Sequence, residues 1–184
     1  LVYLCRHFGL PEVADYWESV VALNTWQQHR IARLVVETLF GTVTGKRLAI
    51  LGFAFKADTN DTREAPAIRI CRDLLEEGAQ LAIHDPKVAA YQMARDLQQE
   101  AAPQADALSG TGSWAEAGSV EDAVTGADAV LVLTEWHDYR NLNWMSLAGR
   151  MRKPAWVFDA RAITDHQQVR TAGLNLWCVG DGEG

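Results

Sequence analysis

Apolar positions near the amino terminus are spaced as on a helix. They form two stripes: Val13, Trp17, Val20 and Val21, then Ile31, Leu34, Val35 and Leu39. Neither glycine nor proline interrupts residues 12–40, which predicts one helix about 40 Å long at roughly 1.5 Å per residue. Because such a helix outspans a small domain, we expect it to pack on a second domain or subunit. A break near Asn24, where the pattern turns polar, is the alternative.

After a turn at residues 41–45, short apolar runs alternate with amphipathic segments. The runs predict strands at residues 47–53, 79–85, 127–134, 155–161 and 174–180. The segments between them predict helices at residues 65–77, 88–99, 119–124, 143–151 and 165–172, with Ser119 capping the third. Residues 101–118, rich in Ala, Gly and Ser, predict a loose surface insertion.

Alternating strands and helices predict an α/β fold. Apolar strands of this kind form a parallel sheet covered by helices on both faces, which here makes a Rossmann-like domain preceded by a long α-helix. We therefore predict two parts, a helical segment at 1–44 and the Rossmann-like domain at 45–184. In such sheets ligands bind at the carboxyl ends of the strands. That rule selects four loops: 53–64, 85–88, 134–139 and 158–161.

The first of these loops lacks the dinucleotide fingerprint. GxGxxG lets the backbone approach a pyrophosphate, whereas Gly52 is followed here by Phe53, Ala54, Phe55 and Lys56. We expect no NAD bound in the standard Rossmann way. Asp85, in the position of the ribose-binding acid, is then better interpreted as a strand-end cap or turn former.

Cations on the same edge favour an anionic ligand. Lys56 and Arg63 lie in a strand-to-helix turn, where a helix amino terminus and a fixed cation suit a phosphate. Arg161 follows another strand and is expected at the same edge. Solvated ion pairs are the alternative for the loop, and pairing with Asp159 or Asp165 is the alternative for Arg161.

Three further residues of this edge have expected structural roles. Asp61 or Thr62 is a candidate cap for the following helix. Trp136 begins the 134–139 loop and is a candidate pocket wall.

Composition narrows the function classes. The chain has 184 residues and a net charge of −7, which argues against a nucleic-acid partner. No apolar run reaches the length of a membrane span. The three cysteines, Cys5, Cys71 and Cys178, lie far apart in the sequence, which argues against disulfides. We therefore expect buried thiols in the core and a reducing cytoplasm. The histidines are scattered, and no motif predicts a metal. The sequence starts inside an apolar pattern, so we expect it to be part of a longer protein.

Three segments carry a resemblance to a known family. The run "LGFAFKADTNDTREAPA", then "VLVLTEWHDYRNLNW" and "KPAWVFDARAI", resemble the carboxyl-terminal part of the UDP-glucose/GDP-mannose dehydrogenase family, especially its UDP-glucose branch. The segment from Leu10 to Lys46 is similar to the family's central helix. The resemblance covers nearly the whole chain, with the motifs in the family's order.

The resemblance implies roles for four residues. Phe55 and Lys56 match the family's pair that closes over the UDP-sugar, and Arg161 matches its arginine that contacts the nucleotide sugar. Arg63 matches the arginine that reaches NAD held by another domain. Two positions depart from the family: Ala160 stands where it has Gly, and Ala65 where it often has Ser.

The resemblance also implies the parent reaction. The family converts UDP-glucose to UDP-glucuronate with two NAD, through a cysteine-bound thioester, and it dimerises through the central helix. We therefore expect UDP-glucose as ligand and a homodimer through residues 11–40. The catalytic cysteine belongs to a GGxCxxKD segment that this sequence lacks, and Cys5 matches a non-catalytic position. We expect the chain alone to be inactive.

Overall fold

A computed structural model of the chain describes residues 1–102 and 112–182. The helices are α1 (Val2–His7), α2 (Pro11–Thr38), α3 (Pro66–Glu76), α4 (Ala90–Leu97), α5 (Val120–Val124), α6 (Trp144–Ala148) and α7 (His166–Thr171). The strands are β1 (Arg47–Leu51), β2 (Gln80–His84), β3 (Ser113–Glu116), β4 (Ala129–Val132), β5 (Trp156–Asp159) and β6 (Asn175–Cys178). A 3₁₀ turn spans His137–Tyr139.

The six strands form one parallel sheet in the order β3-β2-β1-β4-β5-β6. This is the order of a doubly wound nucleotide-binding sheet, with the strand order reversing between β1 and β4. The predicted α/β class, Rossmann-like with a preceding long helix, is confirmed. The division at residues 44 and 45 stays a prediction.

The long helix is a single element. Helix α2 runs unbroken from Pro11 to Thr38, so the alternative of a break near Asn24 is wrong. Its carboxyl-terminal half carries the second apolar stripe into the core, where Ile31 and Val35 are buried against the sheet domain. The stripe of its amino-terminal half is exposed instead, including Trp17 at 39%. The carboxyl-terminal half of α2 is therefore part of the core, whereas the apolar stripe of its amino-terminal half is accessible to solvent.

The predicted insertion at residues 101–118 is wrong where it overlaps β3. Ser113–Glu116 pairs with β2 as an edge strand, and Trp114 is 1% exposed. The indole N–H of Trp114 donates to the carbonyl of Gln99 at 2.9 Å. Four residues are too few for a period-two pattern to emerge from the small residues around them. The remainder of that prediction, residues 103–111, lies outside the described residues.

Helix starts follow local chemistry in part. The Ser119 hydroxyl accepts from the backbone N–H of Asp122 at 3.1 Å, which confirms the predicted cap of α5. The predicted capping of α3 by Asp61 or Thr62 is wrong, because its first turn begins with Ala65 and Pro66 and has no side-chain cap. Proline needs no partner for a missing N–H at that position. Among the described helices, none combines the length and the apolar character that a bilayer span requires.

We predict that Trp114 is an energetic part of the core. Replacing it with Ala should lower the free energy of unfolding by about 3–5 kcal/mol, because a large buried ring leaves a cavity. Urea denaturation followed by circular dichroism measures this loss. Tyr91→Ala, at a site 76% exposed, is the control and should change stability by less than about 0.5 kcal/mol. An equally small loss of stability in both variants would show that Trp114 of β3 does not contribute to the core.

Candidate functional site

The candidate site lies where the strand order reverses. Strands β1 and β4 approach closely just past their ends, at Gly52 and Thr134. Gly52 has φ +95°, and a Cβ added there would lie 2.4 Å from the Cβ of Thr134. The Thr134 hydroxyl donates to the carbonyl of Ala54 at 2.7 Å. Only glycine fits this crossing, and the chain then turns into the 53–64 loop.

One carboxylate organises the loops at this edge. Asp85 Oδ2 accepts from the N–H groups of Phe53 and Ala54 at 2.7 and 2.9 Å. Its Oδ1 accepts from the N–H groups of Lys87 and Val88 at 2.9 and 3.0 Å. Both oxygens are therefore used by backbone donors. The interpretation of Asp85 as a turn former rather than a ribose-binding acid is confirmed.

Trp136 belongs to the same network. Its indole N–H donates to Asp85 Oδ2 at 3.1 Å, and its side chain is 4% exposed. Lys87 Nζ lies 5.7 Å from the ring centroid, a cation–π distance. The interpretation of Trp136 as a pocket wall is wrong, because the ring is used to fasten the 134–139 loop to Asp85.

A cavity of about 500 Å³ opens beside this network, between α2, the start of α3 and the exits of β4 and β5. Phe55, which is 47% exposed, and Arg161 both line it. Helix α2 contributes a polar wall that includes Asn24 and Gln28. The structure thus brings together two of the residues predicted from the sequence. Lys56 and Arg63 belong to the same loop but lie outside this lining.

Arg161 has a partner that the sequence did not suggest. Its guanidinium donates to Glu135 through Nη2, and through Nε at 2.6 Å. The alternative of an ion pair with Asp159 or Asp165 is wrong in its partner, because Asp159 accepts the backbone N–H of Arg161, at 3.0 Å, and not its side chain. An anion that reaches Arg161 must therefore compete with Glu135.

Opposing influences set the pKa of Glu135. Burial raises the pKa, whereas hydrogen bonds from its own backbone N–H and from Arg161 lower it. The hydrogen bonds prevail, so the pKa lies below its ordinary value. Glu135 is therefore ionised at neutral pH and holds Arg161 at the cavity.

Lys56 and Arg63 differ in how far they are already paired. Lys56 is exposed and makes no hydrogen bond or ion pair within residues 1–102 and 112–182. Arg63 forks onto Asp61, with Nε to Oδ1 at 2.9 Å and Nη2 to Oδ2 at 2.7 Å. The hydrogen bond from Arg63 lowers the pKa of Asp61 to about 2. Lys56 is the cation more readily available to a ligand.

The tip of the 53–64 loop is fastened to α4. The Thr62 hydroxyl donates to Asp96 Oδ2, and Gln92 Nε2 donates to the carbonyl of Asn60 at 2.7 Å. Asp85 therefore holds the start of the loop, at residues 53 and 54, and α4 holds its later part, at residues 60 and 62. Thr62 is 2% exposed, so its role is this contact rather than a helix cap.

Arg69 was missed by the sequence reasoning. Its side chain lines the cavity, and its Nε donates to Gln28 Oε1 at 3.0 Å. It has no ion-pair partner in the part of the chain that the structure describes. Its position one turn after Pro66 was the available signal, because the first turns of α3 must face the ligand edge of the sheet.

The fold and the cavity define a class. A parallel sheet of this order, with a cavity lined by Arg69 and Arg161 at its ligand edge, is a Rossmann-like nucleotide-binding domain. Residues 49–166 match the UDP binding domain of the UDP-glucose/GDP-mannose dehydrogenase family. The chain belongs to this family.

Relatives agree with this assignment. The chain is 41% identical over 98% of its length to UDP-glucose 6-dehydrogenase 4 of Oryza sativa subsp. japonica, of which it covers 39%. It is 42% identical to the UDP-glucose 6-dehydrogenase of Caenorhabditis elegans, covering 98% of the chain and 37% of that protein. The chain thus spans less than two fifths of the length of these curated relatives.

A solved structure shares the fold. The UDP-glucose dehydrogenase of Pyrobaculum islandicum superposes with a TM-score of 0.66 over 96% of this chain and 34% of that one. Identity is 22%, so the likeness concerns the fold alone.

We predict that Asp85 is required to hold the edge together. Asp85→Ala leaves buried N–H donors without an acceptor and should lower the free energy of unfolding by about 2 kcal/mol or more. Chemical denaturation measures the loss. The exposed Asp138→Ala is the control and should cost less than about 0.5 kcal/mol. A loss in Asp85→Ala no larger than in the control would contradict this role.

We predict that Arg63 sets the titration of Asp61. In Arg63→Gln, the pKa of Asp61 should rise from about 2 towards its ordinary 3.8. Because the folded pKa is the lower one, this pair stabilises the fold above the ordinary pKa, and its contribution disappears as the pH falls towards about 2. A carboxyl-carbon NMR titration reports the pKa. Arg69→Gln should leave it unchanged, and an unshifted pKa in Arg63→Gln would show that the fork does not persist in solution.

Proposed function

We propose that the chain is the UDP-sugar-binding part of an NAD-dependent UDP-glucose 6-dehydrogenase. The observation that carries the proposal is the match of residues 49–166 to the family's UDP binding domain. This range contains the 53–64 loop and Arg161, and the relatives of about 40% identity are named for UDP-glucose. A related nucleotide sugar, such as a UDP-N-acetylhexosamine or GDP-mannose, is the competing ligand.

The geometry supports a diphosphate beside the cavity. Phe55 offers an exposed ring at the cavity mouth, and Arg161 offers a guanidinium inside it. Lys56 stands on the same loop and makes no ion pair among the described residues, although its charge acts on Asp61. A diphosphate is the kind of group that an arginine fork and a free ammonium recognise together. We assign Phe55, Lys56 and Arg161 to the UDP-sugar.

The loop does not fit NAD bound in the Rossmann manner. Phe53 and Ala54 are buried where that fold needs glycines, and Asp85 is occupied by backbone donors. In this proposal NAD is held mainly by another domain and meets this chain at Arg63. To do so, Arg63 exchanges its fork on Asp61 for the cofactor.

Oxidation is not assigned to this chain alone. Cys5, Cys71 and Cys178 are buried. Burial raises the pKa of the Cys71 thiol, and burial together with Asp159 and Asp181 raises that of Cys178 to about 11. A thiol is nucleophilic as the thiolate, so neither group is prepared for attack at neutral pH. The catalytic cysteine of the parent enzyme belongs to another part of it.

A dimer through α2 is the second part of the proposal. The exposed apolar side chains of α2 include Leu10 at its cap, Val13, Trp17, Val21 and Leu23. Such a patch on a helix marks an interaction surface. We infer that residues 11–40 pair with a second copy, as the family resemblance implies.

We predict that Lys56 contributes directly to UDP-glucose affinity. Lys56→Ala should weaken binding by about 1.5–3 kcal/mol, roughly 10- to 150-fold, since one charge-assisted contact is lost. Calorimetric titration with UDP-glucose measures it, with GDP-mannose as the competing ligand. Lys153→Ala, at an exposed lysine before β5, is the matched control and should bind as the unaltered chain does. Equal affinity of the two variants would remove Lys56 from the site.

We predict that Trp17 lies in the dimer interface. Trp17→Glu should shift the chain towards monomer, because a charge would be buried against an apolar partner. Sedimentation velocity at several concentrations measures the mass. Tyr91→Glu introduces the same charge on α4 and should leave the mass unchanged. An unaltered chain that stays monomeric at high concentration would contradict the helix as a sufficient interface.

A further inference from the structure

Three side chains from separate elements converge at the carboxyl ends of β5 and β6. Asp159 ends β5, His166 begins α7 and Cys178 ends β6. One carboxylate oxygen, one ring nitrogen and the sulfur all lie within 4.8 Å of one another. They are up to 19 positions apart in the sequence, so the fold, not the local spacing, brings them together.

The two oxygens of the Asp159 carboxylate differ in how many hydrogen bonds they accept. Its Oδ2 accepts from the N–H groups of Ile163 and Thr164 and from the Thr164 hydroxyl, at 2.7–2.8 Å. Its Oδ1 accepts a single bond, from the N–H of Arg161 at 3.0 Å. Asp159 is fully buried, and no cationic side chain pairs with it in the described ranges. A buried carboxylate of this kind gains from a positive partner.

The side chains of Cys178 and His166 make few hydrogen bonds of their own. Cys178 is 2% exposed, and its thiol donates to the carbonyl of Val179 at a long 3.6 Å. His166 is half-buried and makes no hydrogen bond with the part of the chain that is described. The sulfur and the ring nitrogen therefore lie beside the Asp159 carboxylate without a strong hydrogen bond of their own among the described residues.

We propose that Asp159, His166 and Cys178 form a binding site for a divalent zinc-like ion. Oxygen, imidazole nitrogen and thiolate sulfur together are a ligand set that Zn²⁺ accepts, with water in the fourth position. Ligands of tetrahedral zinc lie about 3.4 Å apart, so closing the present spacing takes a side-chain shift of about 1.4 Å or less. Binding releases the Cys178 thiol proton to solvent.

Such an ion would join β5, α7 and β6 through Asp159, which accepts the backbone N–H of Arg161. Asp159 already positions the 161–164 backbone through its oxygens. The ion would fix that carboxylate from its other side. The proposal therefore predicts a more stable Arg161 loop, whichever nucleotide sugar the cavity takes.

Cobalt(II) titration of the full chain with reduced thiols tests the site. Cobalt bound to a thiolate gives a near-ultraviolet sulfur-to-metal absorption, which should saturate at one equivalent. Cys178→Ser should abolish this absorption, and Cys5→Ser, a buried thiol in α1, should retain it. His166→Gln should weaken cobalt binding by roughly tenfold or more, since even outer contacts of metal ligands contribute that much.

Two results of the absorption measurement would overturn the proposal. One is the absence of the absorption in the unaltered chain; the other is an absorption in Cys178→Ser equal to that of the unaltered chain. Circular dichroism verifies folding of each variant. If Cys178→Ser does not fold, His166→Gln decides, because its half-buried side chain is not in the core: unchanged cobalt affinity in it would also overturn the proposal.

Discussion

The carboxylate of Asp85 is the contact on which the ligand edge depends. It accepts backbone N–H groups from the β1 exit and from its own turn, and it also accepts the indole of Trp136. Three loops from different strands are thereby held to one point. In a dinucleotide-binding domain the corresponding acid is free for a ribose, and glycines make room for a pyrophosphate. Here Asp85 is hydrogen-bonded to the protein backbone, and the loop carries the side chains of Phe55 and Lys56 in place of glycines.

The long helix links this edge to assembly. Its carboxyl-terminal half is part of the core and also forms the polar wall of the cavity through residues such as Gln28. Its amino-terminal half exposes an apolar stripe. In the proposed dimer, pairing of that stripe would restrain the same helix that borders the ligand. Binding and association would then be coupled through a rigid element rather than through a separate interface.

Much of the fold followed from the sequence because its signals are local. Apolar periodicity placed α2 and five strands, and turn chemistry placed Ser119. Strand β3 was not predicted, because four residues are too few to show an alternating apolar pattern. The partners were harder to predict: Glu135 for Arg161 and Asp96 for Thr62 lie 26 and 34 positions away. The position of Arg69 was equally hard to predict, because it lines the cavity only through the packing of α3 on α2. Residue types fixed the candidate cations, whereas tertiary geometry decided which of them are already paired.

Amide chemical-shift mapping with UDP-glucose tests the central claim most directly, that this edge of the sheet is a UDP-sugar site. The account predicts saturable shifts in the 53–64 loop and around Arg161. Amides at the opposite edge, such as those of Gly126 and Lys153, should not move. A second cavity is lined by Trp26 and His29, among others. Shifts confined to that surface, or no shifts at saturating ligand, would contradict the account.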